Sequence, residues 1–105
     1  MSSPVIVTAV FHPAPGAKER LIEAMGPGIA AVHAEPGCEL YAIHDAEDGT
    51  ITMIERWTSA EDLAAHAAGE AIALLNRDID GLLASPVVVT RMSALPAGDA
   101  AKGVL

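Results

Sequence analysis

The sequence is short of rings, thiols and positive charge. Aromatic residues make up 3% of the chain, as one Phe, one Tyr and one Trp. A surface built on stacked aromatics is excluded, and each ring becomes informative. Cys38 is the only cysteine, so there is no internal disulfide framework and no cysteine-built zinc site. Six Lys and Arg stand against fourteen Asp and Glu, a net charge of −8. That balance opposes nucleic-acid binding, which needs cations to neutralise phosphates. It also opposes anionic membrane surfaces. No apolar run approaches the roughly 20 residues of a membrane span. The first residues, MSSPVIVTAVFHP, lack the basic start of a signal peptide. A cytoplasmic protein of one domain is expected over residues 1–105, with its core at about 4–95 and a loose tail at 96–105.

Several chemical motifs are also missing. There is no phosphate-binding glycine loop, no HExxH and no acidic calcium loop. Ser59 lies in no G-x-S-x-G elbow. None of the four histidines pair at i, i+4 on one helix, so no metal site is expected.

What the chain has in surplus is apolar content: 51% of residues, with a mean hydropathy of +0.37. A lone domain of this size buries only roughly 60–70% of its unfolded surface. The surplus points to a sheet face covered by a partner, most simply an identical one.

The pattern of apolar residues sets the elements. Val5 to His12 is β-branched and apolar on both parities, a buried strand closed by Pro13. Ala17 to His33 reads as a helix with Leu21, Met25, Ile29 and Val32 as its stripe. Gly26-Pro27-Gly28 interrupts it, predicting a kink or two shorter helices. Cys38 to Asp45 and Thr50 to Thr58 are strands joined through Asp48-Gly49, a hairpin signal. Strict alternation puts Cys38, Leu40, Ala42 and His44 on one face of the first. On the second, Ile51, Met53, Glu55 and Trp57 share a face. Ser59 or Thr58 can cap the next helix, with Glu61 and Asp62 in its first turn. It runs to about Ala68, and a further helical piece covers Glu70 to Ala84. Val87 to Leu95 is the last strand. The order β-α-β-β-α-β predicts an α+β, ferredoxin-like domain with a four-stranded antiparallel sheet.

The candidate site residues follow from this frame. His66 shares the inward stripe of Leu63. It is either a helix-face histidine bonded to a carbonyl or water, or a base aimed into a pocket above the sheet; its ordinary pKa near 6.5 suits proton transfer. Trp57 and Met53 share a face and make an apolar wall as core or as ligand contact. Glu55 on that face needs a polar partner if buried. Tyr41 and His44 fall on opposite faces, so both line one pocket only if a bulge intervenes. Arg77 is either a solvated helix residue or an anion partner. Cys38 is better suited to packing than to nucleophilic attack, since no cation neighbours it in sequence.

Glu35-Pro36-Gly37-Cys38, then Tyr41 and His44, then Glu55-Arg56-Trp57, then Leu63 and Ala65-His66, resemble the antibiotic biosynthesis monooxygenase family. The resemblance spans about residues 5 to 95. It implies a dimeric α+β barrel, two ferredoxin-like sheets packed face to face, with a pocket in each subunit. It also implies oxygenation of phenols or quinols by O₂ without metal or flavin, so that no cofactor is expected. In that setting Trp57, Met53, Leu63 and Tyr41 would contact a small aromatic substrate. His66 or His44 would move the proton, and Arg77 would stabilise a phenolate. The alternatives are a dimeric module that binds a small ligand without catalysis, and an isomerase or cyclase on the same scaffold. The haem-degrading branch uses an Asn and a Trp that this chain lacks at the corresponding places, which disfavours haem chemistry.

Overall fold

A computed structural model describes residues 3–105. The elements are β1 (Val5–Phe11), α1 (Lys18–His33), β2 (Cys38–Asp45), β3 (Ile51–Trp57), α2 (Ala60–Ala67), α3 (Glu70–Asp78) and β4 (Val88–Met92). The four strands form one antiparallel sheet in the order β2-β3-β1-β4. This is the ferredoxin-like four-stranded antiparallel sheet expected from the sequence. Among the described residues no helix is long and apolar enough to cross a membrane.

Alternation sorts the sheet into two faces. The side toward the helices carries Val7, Ala9 and Phe11 from β1 and Ile51, Met53, Glu55 and Trp57 from β3, all buried. One row crosses all four strands in register: Tyr41, Glu55, Val7 and Arg91. The other side carries Ala42, Ile54, Thr8 and Thr90 in one row, and His44, Thr52, Val10 and Val88 in the next.

Five expectations are corrected here. The register of β2 shifts between Cys38 and Leu40. Glu39 is the extra residue, so Cys38 pairs with Trp57 and shares the face of Tyr41 rather than that of Leu40. The helix α1 is one element, not two. Pro27 removes the donor that would reach Glu23, but both residues are exposed, so water can serve the orphaned carbonyl. Gly26 has no Cβ for the proline ring to strike, which lets the residue before Pro27 stay helical.

The buried stripe of α1 is Leu21, Met25, Gly28 and Val32, with Gly28 inside it where Ile29 was expected. A Cβ on Gly28 would lie 2.7 Å from Leu75 Cβ and 2.8 Å from Leu75 Cα. The glycine is therefore what lets α1 approach α3. Gly28→Ala should destabilise by up to about 2 kcal/mol, since overpacking costs about 1–3 kcal/mol and better helix propensity returns about 1. Urea unfolding measures it; an unchanged midpoint would contradict the close approach.

The fourth correction concerns α3, which ends at Asp78 rather than near Ala84. Residues 82–84 bond to the segment after β1 instead. Ala14 N–H donates to Leu82 C=O at 2.8 Å and Ala84 N–H to His12 C=O at 2.7 Å. Gly81 takes φ +83°, outside helical space. The expected helical and strand signals elsewhere have local causes that are visible. Ser59 Oγ accepts from Asp62 N–H at 3.1 Å, capping α2. Asp48 Oδ1 accepts from Thr50 N–H at 3.0 Å within the hairpin turn. The strand β4 is shorter than Val87–Leu95, and all five of its residues are exposed.

Candidate active site

Gly37 ends the turn after α1 with φ +81°, and its carbonyl accepts from Thr58 N–H at 2.9 Å. That bond ties the start of β2 to the end of β3. It brings Glu35 beside α2 and sets Cys38, Tyr41 and Trp57 on the helix side of the sheet.

The aromatic and titratable side chains gather there. Trp57 is fully buried, and its indole N–H donates to Glu55 Oε1 at 2.9 Å. The His66 ring lies over Trp57 with centroids 4.6 Å apart and planes tilted by 31°. Tyr41 meets His66 edge-on at 5.5 Å and Trp57 at 6.3 Å. His66 is 6% exposed, and its Nδ1 lies 2.7 Å from Glu35 Oε1. Among the described residues His66 Nε2 and the Tyr41 hydroxyl make no hydrogen bond within the chain. Those two atoms remain free for a ligand.

A cavity of about 250 Å³ opens in front of this cluster, between the sheet and α2 and α3. His66, Tyr41 and Glu55 supply its polar wall. Val7, Ala9, Phe11, Leu63, Ile72 and Leu75 supply apolar surface. Val89 and Arg91 from β4, with Asn76 from α3, close the side at the sheet edge. A second depression is wider, about 820 Å³, and runs over the outside between α1 and α3. It is lined by four alanines, Pro36 and Leu74, with Glu35, Glu70 and Arg77. The smaller cavity is the better candidate, because buried polar groups converge on an apolar wall there.

Burial shifts the groups on the cavity wall. Desolvation raises the Glu55 carboxyl above the usual carboxylate range, opposed by the Trp57 hydrogen bond and then by His66. Burial, with Glu55 and Glu35 nearby, pushes the Tyr41 phenol above its ordinary value. Tyr41 is thus held as a neutral hydroxyl, a donor or acceptor rather than a base. Burial and the same two carboxylates raise the Cys38 thiol, which suits a packing role.

A carboxyl whose folded pKa is raised binds protons more readily in the folded state. Its contribution to stability is complete below the unfolded value and is lost as pH rises through the folded value. Glu55→Gln should therefore stabilise the fold at neutral pH and flatten the acid side of the stability profile, since the amide oxygen still accepts from Trp57. Urea midpoints across pH 4–8 check this; a variant less stable than the parent throughout would contradict it.

The structure brings together some of the sequence candidates and separates others. His66, Tyr41 and Leu63 face the cavity. Trp57 and Met53 do not face it. Both are fully buried behind it, and Trp57 acts as the backing plate of the His66 ring. His44 lies on the far side of the sheet, its Nδ1 3.2 Å from Thr52 C=O. The bulge sits before Leu40, too early to turn it inward. Arg77 lies in the outer depression, near the C-terminus of α3, away from the cavity.

Sequence reasoning passed over Glu35, Phe11, Asn76 and Arg91 as site residues. Glu35 was read as part of a turn, and no spacing rule relates it to a histidine 31 positions later. Arg91 sits within a strand whose two parities both look apolar at their ends. Glu55 carried a usable signal, a carboxylate in an inward strand position two residues from an indole donor.

Among the described residues no group of three or more His, Cys, Asp and Glu is arranged to hold a metal ion. A family model described as antibiotic biosynthesis monooxygenase matches residues 4–75. The Mycobacterium tuberculosis protein named "Putative monooxygenase Rv0793" is 32% identical over 101 residues, covering 95% of this chain and all of its own. Its solved structure superposes with a TM-score of 0.81 at 31% identity, over 92% of this chain and 100% of that one. PA3566 from Pseudomonas aeruginosa gives a TM-score of 0.79 at 29% identity, over 90% and 97%. With the family model covering β1 to β3, the turn at Glu35 and the helix of His66, and a relative matching over 95% of this chain and all of its own, the chain belongs to the antibiotic biosynthesis monooxygenase family.

Proposed function

We propose that the protein is a monooxygenase that uses O₂ to oxidise a small phenol or quinol held in the cavity, without a flavin or a metal. The observation that carries this reading is the wall formed by His66 Nε2, the Tyr41 hydroxyl and Glu55 in front of an otherwise apolar chamber. His66 takes the phenolic proton. The electron-rich phenolate then gives an electron to O₂, and the two radicals combine at a ring carbon to form a C–O bond. The peroxide takes the proton back from His66, and loss of water from the resulting hydroperoxide, with the hydrogen of that ring carbon, leaves a carbonyl. One O₂ is consumed per substrate, one oxygen entering the product and the other leaving as water. Tyr41 supports the reading as a neutral partner for a ring oxygen, and the apolar wall excludes water from the radical pair.

The chamber, about 250 Å³, falls below the roughly 300–1,000 Å³ of drug-sized pockets. One or two fused rings fit this better than a long polycycle. A second copy of the chain is part of the proposal. Val88 and Val89 are 54% and 60% exposed on the edge strand beside the cavity, and Leu95 is 88% exposed. Packing of a partner there would cover them and close the cavity mouth; light scattering showing a stable monomer at micromolar concentration would remove it.

Oxygen uptake with a panel of hydroquinones, naphthols and anthrones tests the activity. Turnover above the spontaneous rate is expected for at least one compact member, and none under nitrogen. Product formed equally under nitrogen would instead indicate an isomerase or cyclase.

A further inference from the structure

We infer that Glu35 is the positioning residue of His66, holding it in the tautomer that presents an unprotonated Nε2 to the cavity. This rests on the reading of His66 as the base. Three independent features of the structure converge on it.

The first is the contact itself. Glu35 Oε1 lies 2.7 Å from His66 Nδ1. A carboxylate ion only accepts hydrogen bonds, so the proton in this contact is the ring's, on Nδ1. The neutral ring then has its lone pair on Nε2. The other titratable groups facing His66 are Glu55 and Tyr41. Glu55 Oε1 is taken by the Trp57 indole, and neither residue bonds the ring. Glu35 alone selects the tautomer.

The second is the space made for the carboxylate. Gly69 joins α2 to α3, and a Cβ there would lie 3.0 Å from Glu35 Oε2. Its backbone, φ −90° and ψ 173°, is open to any residue. The glycine is therefore not required by chain conformation. A Cβ there would instead be crowded by Glu35 and by the Ala65 and His66 carbonyls at 3.2 and 3.3 Å. Gly69 is also the N-cap of α3, the positive end of that helix dipole, which favours a negative group beside it.

The third is the placing of the pair across the wall. Glu35 borders the outer depression between α1 and α3, whereas His66 borders the inner cavity. The Glu35 side chain is 20% exposed and the His66 side chain 6%. The carboxylate thus stays in contact with water while it orients a ring that is shielded from it. Trp57 and Tyr41 grip the ring's face and edge. Orientation comes from these contacts and the tautomer from Glu35, as for the outer partners of histidines in other catalytic and metal sites.

The imidazole nitrogens of ¹⁵N-labelled protein report the tautomer directly, at a pH where His66 is neutral. The parent is expected to show a protonated Nδ1 and a bare Nε2. Glu35→Gln, which keeps an acceptor oxygen, should preserve that pattern. Glu35→Ala should move the proton toward Nε2. In turnover, Glu35→Ala should lower kcat by roughly tenfold or more with little change in KM, and Glu35→Gln should recover part of the loss. A residue needed only for folding would change Tm and leave the nitrogen pattern of the folded protein intact. A parent protein with its proton on Nε2 would overturn the inference, even if every Glu35 variant failed to fold. So would a folded Glu35→Ala with the parent's pattern. These spectra need no substrate. A parent with bare Nε2 and no oxygenation of any panel member would leave the Glu35 role standing and overturn the oxygenase reading alone.

Discussion

Trp57→Ala is expected to lower stability by about 3–5 kcal/mol, the range for truncating a large aromatic in a core. The side chain is fully buried and is the largest such group in the molecule. Its loss leaves a void behind His66 and removes the donor to Glu55 Oε1. A domain of this size has only about 5–15 kcal/mol in all, so the change consumes a large share. Urea unfolding at one fixed protein concentration measures it, as a lower midpoint with the same slope. Trp57→Phe separates the two causes. It keeps most of the packing but leaves the buried carboxylate without its donor, which should cost about 1–3 kcal/mol. A total loss below about 1 kcal/mol in the alanine variant would contradict the place given to Trp57 at the centre of the core.

His66→Ala is expected to reduce oxygenation by about 10²–10⁴-fold, the usual worth of a positioned base. The effect should fall on kcat, since the apolar wall that holds the substrate is unchanged. His44→Ala makes the sharpest comparison. That residue is also a histidine on the sheet, but it faces away from the cavity beside Thr52. Its rate should stay close to the parent's. Equal losses from the two substitutions would contradict the assignment of the proton step to the helix histidine. Circular dichroism of both variants distinguishes lost chemistry from lost fold.

Much of the fold was legible because its causes are local. The period of two in Ile51–Trp57, the Asp48-Gly49 turn and the Ser59 cap each act within a few residues. The β-α-β-β-α-β order followed from them. What was missed depends on contacts between distant segments. The short α3 reflects bonds from residues 82–84 to residues 12–14, which no helical pattern within Glu70–Ala84 can show. Gly28 looked like a helix breaker because the reason for it, Leu75, lies on another helix.

The site divides the same way. His66 was legible as an inward helix residue, and Trp57 as an inward strand residue. Their stacking, and the exclusion of Trp57 from the cavity surface by the ring in front of it, were not. His44 and Arg77 were chosen for their chemistry, and the sheet face and helix face they occupy separate them from it. Glu35 stood inside a motif already singled out, but as turn chemistry. Only the fold shows its carboxylate reaching a side chain on α2.

The most direct test is oxygenation of a compact quinol or naphthol in ¹⁸O₂, using protein shown by elemental analysis and absorbance to carry neither metal nor flavin. The account predicts one ¹⁸O atom per product molecule at a rate well above the spontaneous one, falling toward that rate in His66→Ala. Turnover that appears only after a metal or flavin is added would contradict it, as would turnover undiminished in His66→Ala.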